Sequence, residues 1–433
     1  MPSPNASSPS STIRLTGTLN TDALLSGYKW AGSVGTGAAL TYSFYQDGVS
    51  PFTEDYSEDG EPDGAYALSS AQKSTVQWAL SKWSSVANLT FTQVTDTANN
   101  VGTLRFAGYD FMEEDTYAWA YYPDSAPSGG DVWIGPATEE ARPTPGSNDA
   151  HTFLHEIGHA LGLKHPFEDG DILPTRFDNP RYTVMSYNTD GYNFLPTTPM
   201  LLDIVAMQYM YGANMAWQTG NNTYSWSATQ KIFETIWDAG GTDTISAASR
   251  TTKVTINLNE GSFSSIGGTN NLAIAYNAKI ENAIGSSFGD SLTGNALHNV
   301  LTGGAGNDTL SAGAGNDTLK AGTGVDQLTG GAGNDVFDFN ALNELGLGSN
   351  RDVITDFQRA DRLDLSGVDA NAATARNDAF TFAGTLSAFK GDASGLLRFS
   401  NGILYGSTDA DTAAEFEIRL TGVSLFEASS LIA

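Results

Sequence analysis

From about residue 285 the chain repeats every nine residues, and that period constrains its fold more than any other feature. Gly303-Gly304-Ala305-Gly306-Asn307-Asp308-Thr309-Leu310-Ser311 is followed by Ala312 to Lys320, Ala321 to Thr329 and Gly330 to Asp338, each on the pattern G-G-x-G-x-D-x-U-x. Six residues make a turn that glycine permits, and three make a short strand. The apolar residue of each copy (Leu310, Leu319, Leu328, Phe337) can then point inward, and successive copies stack as a parallel β-roll. A disordered low-complexity linker would share the composition but not the regular spacing. The aspartates Asp308, Asp317, Asp326 and Asp335, with backbone carbonyls such as those of Gly303 and Ala305, are hard oxygen ligands suited to calcium. Two upstream copies are degenerate. Residues 285–293 keep the aspartate as Asp290, whereas residues 294–302 carry Asn299 instead, and calcium should bind more weakly there.

The rest of the composition agrees with a cation-dependent fold. Net charge is −28, with 49 acidic residues against 21 basic, which argues against nucleic acid and anionic membranes as partners because both require basic surface. No cysteine is present, so no disulfide can staple the fold, and bound cations are the natural candidate for cross-links. No apolar run approaches the ~18 residues of a membrane span, so no membrane insertion is expected. The segment from Met1 to Ser8 lacks the basic and apolar regions of a secretory signal peptide.

A second motif carries chemistry. In His155-Glu156-Ile157-Gly158-His159-Ala160-Leu161-Gly162-Leu163-Lys164-His165, His155 and His159 lie four apart and share one helix face. Gly162 lets the chain leave the helix and bring His165 back as a third nitrogen ligand. Three histidines leave one zinc position open to water and substrate, and Glu156 lies within reach of that water. Four of the five histidines fall between 151 and 165. His151 is read as a helix-start residue or rim contact, the ligand set being complete without it. Beyond it lies Val184-Met185-Ser186-Tyr187.

The eleven-residue motif followed by this methionine turn resembles the metzincin metallopeptidases, and Tyr187, two places after Met185, is similar to the serralysin and astacin branches. The resemblance implies an α+β catalytic domain with a mixed sheet and a zinc-binding helix, ahead of an all-β parallel roll of the RTX type. It implies zinc on His155, His159 and His165, with Tyr187 as a fourth ligand or a hydrogen-bond donor to the transition state, Glu156 as general base, and Met185 as an apolar floor. It implies that Ala118, Trp119 and Ala120 form the cleft rim, where substrate adds as an antiparallel strand; the residues alone equally allow an interior strand. Calcium in such rolls lies between loops two repeats apart, which would pair Asp308 with Asp326 and Asp317 with Asp335. The turn from Trp237 to Ile245 adds Asp238 and Asp243 as calcium ligands.

The expected division is a flexible segment over 1–18, either a propeptide or a simple tail, a zinc peptidase domain over 19–218, a roll over 219–366, and a cap over 367–433 whose tail is loosely similar to type I export signals. Within the second segment the pattern predicts helices over 21–29, from Ser69 or Ser70, from Asn148 or Asp149, and from Thr198-Pro199 to Gly212. The function implied is a secreted bacterial zinc endopeptidase, monomeric, exported without a signal peptide by type I machinery. It would act on protein or peptide substrates and be open to a proteinaceous inhibitor. The alternative is a calcium-folded surface or adhesion module with a vestigial zinc site, against which the intact Glu156 argues.

Overall fold

The computed structural model describes residues 10–433 apart from 53–55, 58–59, 98–99, 114–115, 139–142 and 169. The chain forms two compact units, one of residues 1–219 with 233–239 and one of 220–232 with 240–433. No helix among the described residues is long and apolar enough to cross a membrane.

The first unit runs β1 (Ser10–Thr12), α1 (Leu19–Asp22), β2 (Tyr28–Trp30), β3 (Ala38–Phe44), β4 (Ala65–Tyr66), α2 (Ser70–Val86), β5 (Leu89–Gln93), β6 (Leu104–Tyr109), β7 (Ala118–Ala120), β8 (Val132–Ile134), α3 (Asn148–Ala160) and α4 (Leu201–Tyr211). Its sheet has the order β5-β3-β6-β8-β7, with β4 also on β6. The first four strands of that order run parallel, and β7 closes the row antiparallel to β8. Helix α2 starts where its pattern predicts. Ser69 caps it with a reciprocal capping box, the Ser69 hydroxyl accepting the Gln72 amide at 3.2 Å and the Gln72 side chain accepting the Ser69 amide at 2.9 Å. Its apolar stripe of Val76, Ala79, Leu80, Trp83 and Val86 is buried.

Two local expectations give way to tertiary structure. The helix expected over 21–29 stops at Asp22, whose carboxylate turns back to accept the amides of Thr16 and Gly17 at 2.7 and 2.8 Å. The chain after it forms hydrogen bonds with the loop beyond α3 (Lys164 N to Leu24 O 2.9 Å, Ser26 N to Gly162 O 3.0 Å) and continues as β2. The segment expected to be flexible is a strand from Ser10 to Thr12, antiparallel to β2; residues 1–9 lie outside the described residues.

The second unit is the roll. Strands of one face fall at Thr244–Ser246, Asn282–Ile284, Val300–Ala305, Thr318–Thr323, Val336–Asp338 and Arg362–Asp364, and those of the other at Thr255–Asn257, Ser291–Thr293, Thr309–Ala314, Gln327–Ala332, Asp352–Ile354 and Phe416–Leu420. Within each face these pair in parallel, so that two nonapeptides make one coil and Leu301 meets Leu319, Leu310 meets Leu328, and Leu319 meets Phe337. These side chains are completely buried. The sheets do not stop at 366: Phe416–Leu420 pairs with Asp352–Ile354, and Leu431–Ile432 with Arg362–Asp364. The segment expected as a separate cap is therefore part of the roll's own hydrogen bonding.

Candidate metal centres and cleft

Helix α3 carries the candidate ligands His155 and His159 and is capped by Ser147, whose hydroxyl accepts the Ala150 amide at 3.2 Å. The cap lies one residue ahead of the expected Asn148. The far end of α3 is held by Trp30 and Tyr211, whose side chains donate to the carbonyls of Ala160 (2.7 Å) and Leu161 (2.8 Å). The chain then reverses at Gly162, with φ +108° and only 2.4 Å between a would-be Cβ and the Tyr28 carbonyl oxygen, so any side chain there would be excluded twice over.

The Nε2 atoms of His155, His159 and His165 lie 3.0–3.1 Å from one another. Their Nδ1 atoms face oxygen acceptors: Val184 O at 2.8 Å for His155, Leu163 O at 2.8 Å for His159, and the Glu168 carboxylate for His165. A carbonyl or carboxylate can only accept, so the ring proton resides on Nδ1 in each case. Three Nε2 lone pairs then converge, which is repulsive unless a cation fills the point between them. The spacing suits one ion with bonds of about 2.0–2.1 Å to nitrogen, and the carbonyl and carboxylate partners are the outer-shell contacts that orient metal-binding imidazoles. Burial lowers the pKa of all three rings, and repulsion from neighbouring imidazoles adds to it for His155 and for His159, the latter down at about 3. The residues fit a zinc ion.

Glu156 is buried beside them; its Oε2 has no partner, and burial pushes its carboxyl up to about 8. A divalent cation among the neighbouring imidazoles would draw that value down again. Met185 lies beneath α3, fully buried, so close that a Cβ on Gly158 would come within 2.7 Å of its sulfur. Tyr187 is 63% exposed, its ring centroid 4.5 Å from that of His165 and 5.5 Å from that of His155. Strand β7 ends its sheet, so among the described residues it is an edge rather than an interior strand. Trp119 packs on Tyr109 with centroids 5.4 Å apart. Ala118 and Ala120 line a recess of about 200 Å³ together with Glu156, His159, His165 and Tyr187. A larger recess of about 410 Å³ adjoins it, lined in part by Ala118, His151, Glu156 and Tyr187. His151, read as a helix-start residue or rim contact, is the fourth residue of α3, in its first turn; it is buried and lines this larger recess one turn before His155.

Three contributors were not visible in the motif. Glu168 bridges the third ligand to Tyr122, whose hydroxyl donates to it at 3.1 Å; its distance of three residues from His165 is the only signal for it. Asp203, fully buried in the first turn of α4, accepts from Thr183 Oγ1 (2.6 Å), Val184 N (2.8 Å) and Met200 N (2.8 Å). It so fixes the turn that offers Val184 O to His155. Asp203→Ala strands three buried donors at ~1–3 kcal/mol each. It is expected to lower the stability of the first unit by at least ~3 kcal/mol, read from its urea midpoint; an unchanged midpoint would show that the turn holds itself.

In the roll, carboxylates eighteen residues apart form a ladder. The amide of Asp308 donates to the Asp326 carboxylate at 2.7 Å, that of Asp317 to Asp335 at 3.0 Å, and that of Asp290 to Asp308 at 2.7 Å. The same contact continues from Asp326 to Asp352 at 2.8 Å, and from Asp335 to Asp361 at 3.1 Å, at an interval of 26. The second oxygens of Asp308, Asp317, Asp326, Asp335 and Asp352 are buried without a hydrogen-bond partner, which suits them to calcium. Gly303 and Ala305 lie in the strand Val300–Ala305 beside this ladder. Asp290, expected as a weaker ligand, has one oxygen on Val254 N and the other on Ser286 N, so it offers a cation no unengaged oxygen. Asp243 is buried in the second unit, accepting the Asn222 amide at 2.6 Å, and Asp238 is buried in the first.

Comparison with known proteins agrees with this geometry. Residues 62–193 match the family model described as matrixin, and residues 202–432, more than half of the chain, match that described as the peptidase M10 serralysin C terminal. Serralysin B of Dickeya chrysanthemi is 36% identical over 292 residues, covering 60% of this chain and 59% of that protein. Metalloprotease AprA of Pseudomonas entomophila is 33% identical over 290 residues, covering 59% and 56%. A serralysin of Photorhabdus luminescens is 34% identical over 265 residues, covering 53% of each. The aligned part thus spans less than two thirds of the relatives it matches.

Proposed function

The chain belongs to the serralysin family of M10 peptidases, and on that premise we propose that it is a zinc-dependent endopeptidase acting on protein substrates. The observation that carries the reading is the convergence of three proton-free Nε2 atoms next to an otherwise unpartnered buried carboxylate. His155, His159 and His165 would hold a zinc ion, which would supply Lewis acidity for a water and the scissile carbonyl. Glu156 takes the proton of the attacking water and passes it to the leaving amine. The free edge of β7 aligns the substrate backbone as an added antiparallel strand. Tyr187 donates its hydroxyl proton in a hydrogen bond to the developing oxyanion, and Met185 packs as the apolar floor. Calcium on the repeat aspartates would complete the roll, and folding only where calcium is abundant would be compatible with secretion through type I machinery. A binding module needs no general base, so the buried Glu156 weighs against an adhesion role.

A casein zymogram with and without chelator tests the reading: clearing that chelator abolishes and zinc restores is expected, and no clearing at any zinc level would overturn it. Tyr187→Phe is expected to lower kcat far more than it changes KM, because an oxyanion contact exists only in the transition state. A change in KM alone would reassign Tyr187 to substrate binding.

A further inference from the structure

The larger recess has an unusual wall. His151, buried in α3, has an Nδ1 with no partner. The recess is lined by this ring, and Nε2 is the nitrogen left to reach its surface. A neutral imidazole carries one proton, and Nδ1 has no acceptor to receive it, so the tautomer with Nε2–H towards the recess is favoured. Around it stand Asn148, Thr152, Thr116, Ser186 and Thr189. The lining is therefore rich in uncharged hydrogen-bonding groups and, among the described residues, contains neither Lys nor Arg.

The direction of the substrate places this recess. The cleft passes from Thr116–Ala118 beside His151 to Ala120 and Tyr122 beside His159 and His165. A substrate running antiparallel to β7 puts the residues after the scissile bond beside the start of that path. The first side chain on the leaving-amine side thus enters the His151 recess.

Resting on the peptidase reading above, the geometry points to His151 as a specificity-determining residue that selects substrates with a neutral, oxygen-bearing side chain, Gln or Asn, immediately after the scissile bond. A leucine there would leave the imidazole N–H desolvated and unpaired, and a carboxylate would face Glu156 across a lining without Lys or Arg among the described residues. Sites built to hydrogen-bond a substrate group discriminate strongly against analogues lacking it.

The test compares quenched-fluorescence peptides identical except for Gln, Glu or Leu at that position, cleaved by the zinc- and calcium-loaded full chain. The expected ratio of kcat/KM for Gln over Leu is on the order of tenfold or more. His151→Leu should collapse or invert the ratio at unchanged zinc content, and His151→Gln should preserve it. A wild-type ratio of one or less, or a ratio unmoved in His151→Leu, would overturn the assignment; the wild-type ratio decides even if His151→Leu fails to fold. Calorimetric binding of the same peptides to Glu156→Ala separates the two readings. Gln-selective binding by a protein whose wild type cleaves nothing would sink the peptidase reading and keep the recess, whereas cleavage without selectivity would do the reverse.

Discussion

Glu156→Ala is expected to keep the fold and the zinc stoichiometry while losing about 10²–10⁴-fold in kcat, the range that general acid–base assistance supplies. The separation of effects follows from the geometry. Each imidazole is oriented by a partner other than Glu156, namely Val184 O, Leu163 O and Glu168, so removing the carboxylate leaves the three-nitrogen site intact. Folding should not suffer either. Glu156 Oε2 is buried without a hydrogen bond, and the cost of desolvating it is what pushes its pKa up to about 8; replacing such a group by a small apolar one removes a penalty rather than a contact. Zinc content by mass spectrometry and steady-state kinetics on one purified sample check both halves. More than a tenth of wild-type turnover would remove Glu156 from the proton-transfer role, and loss of zinc would show that it holds the metal instead.

What could be read ahead of the structure was whatever is periodic and local. Helical spacing alone puts His155 and His159 on one face, and the nine-residue period marks Leu310 and Leu328 as equivalent inward positions, which the two-repeat coil then stacks. Failures arose where distant segments decide. The helix expected over 21–29 is cut short because residues 24–26 find backbone partners at 162–164, some 140 residues away. Asp203 reads as an ordinary helix-start acid, yet its carboxylate serves a turn nineteen residues back. Asp352 and Asp361 take the next places in the aspartate ladder, but the intervening segment stretches the interval from 18 to 26 residues and hides the period. Whether β7 is an edge depends on strand order across the whole sheet, which no local pattern encodes.

Without calcium at neutral pH the nonapeptide coils should be unfolded, and both calcium and acid should restore them. Each coil buries one large apolar side chain per nine residues, little against the ordering cost of ~1–2 kcal/mol per residue. Against this the folded coil confines Asp308, Asp317, Asp326, Asp335 and Asp352, each with one buried oxygen unpartnered. Burial first, with repulsion from neighbouring carboxylates such as Glu344 adding to it, raises their carboxyls, Asp308 to about 7, Asp317 and Asp326 to about 6 and Asp352 to about 8. Calcium binds the folded form and so adds its binding free energy to stability. The sign of the pH effect follows from the same shifts. Folded-state values above the unfolded value of ~3.9 mean that the native coil binds more protons, so stability rises as pH falls from about 8 towards 4. Hydrogen–deuterium exchange on the full chain, followed over residues 303–338, should show fast exchange in chelator at pH 8, protection with millimolar calcium, and partial protection in chelator at pH 5 once intrinsic rates are corrected. Full protection in chelator at pH 8 would mean that packing alone holds the roll. Protection lost on acidification in chelator would mean that the buried carboxylates stabilise the fold in their charged form, opposite to what their burial dictates.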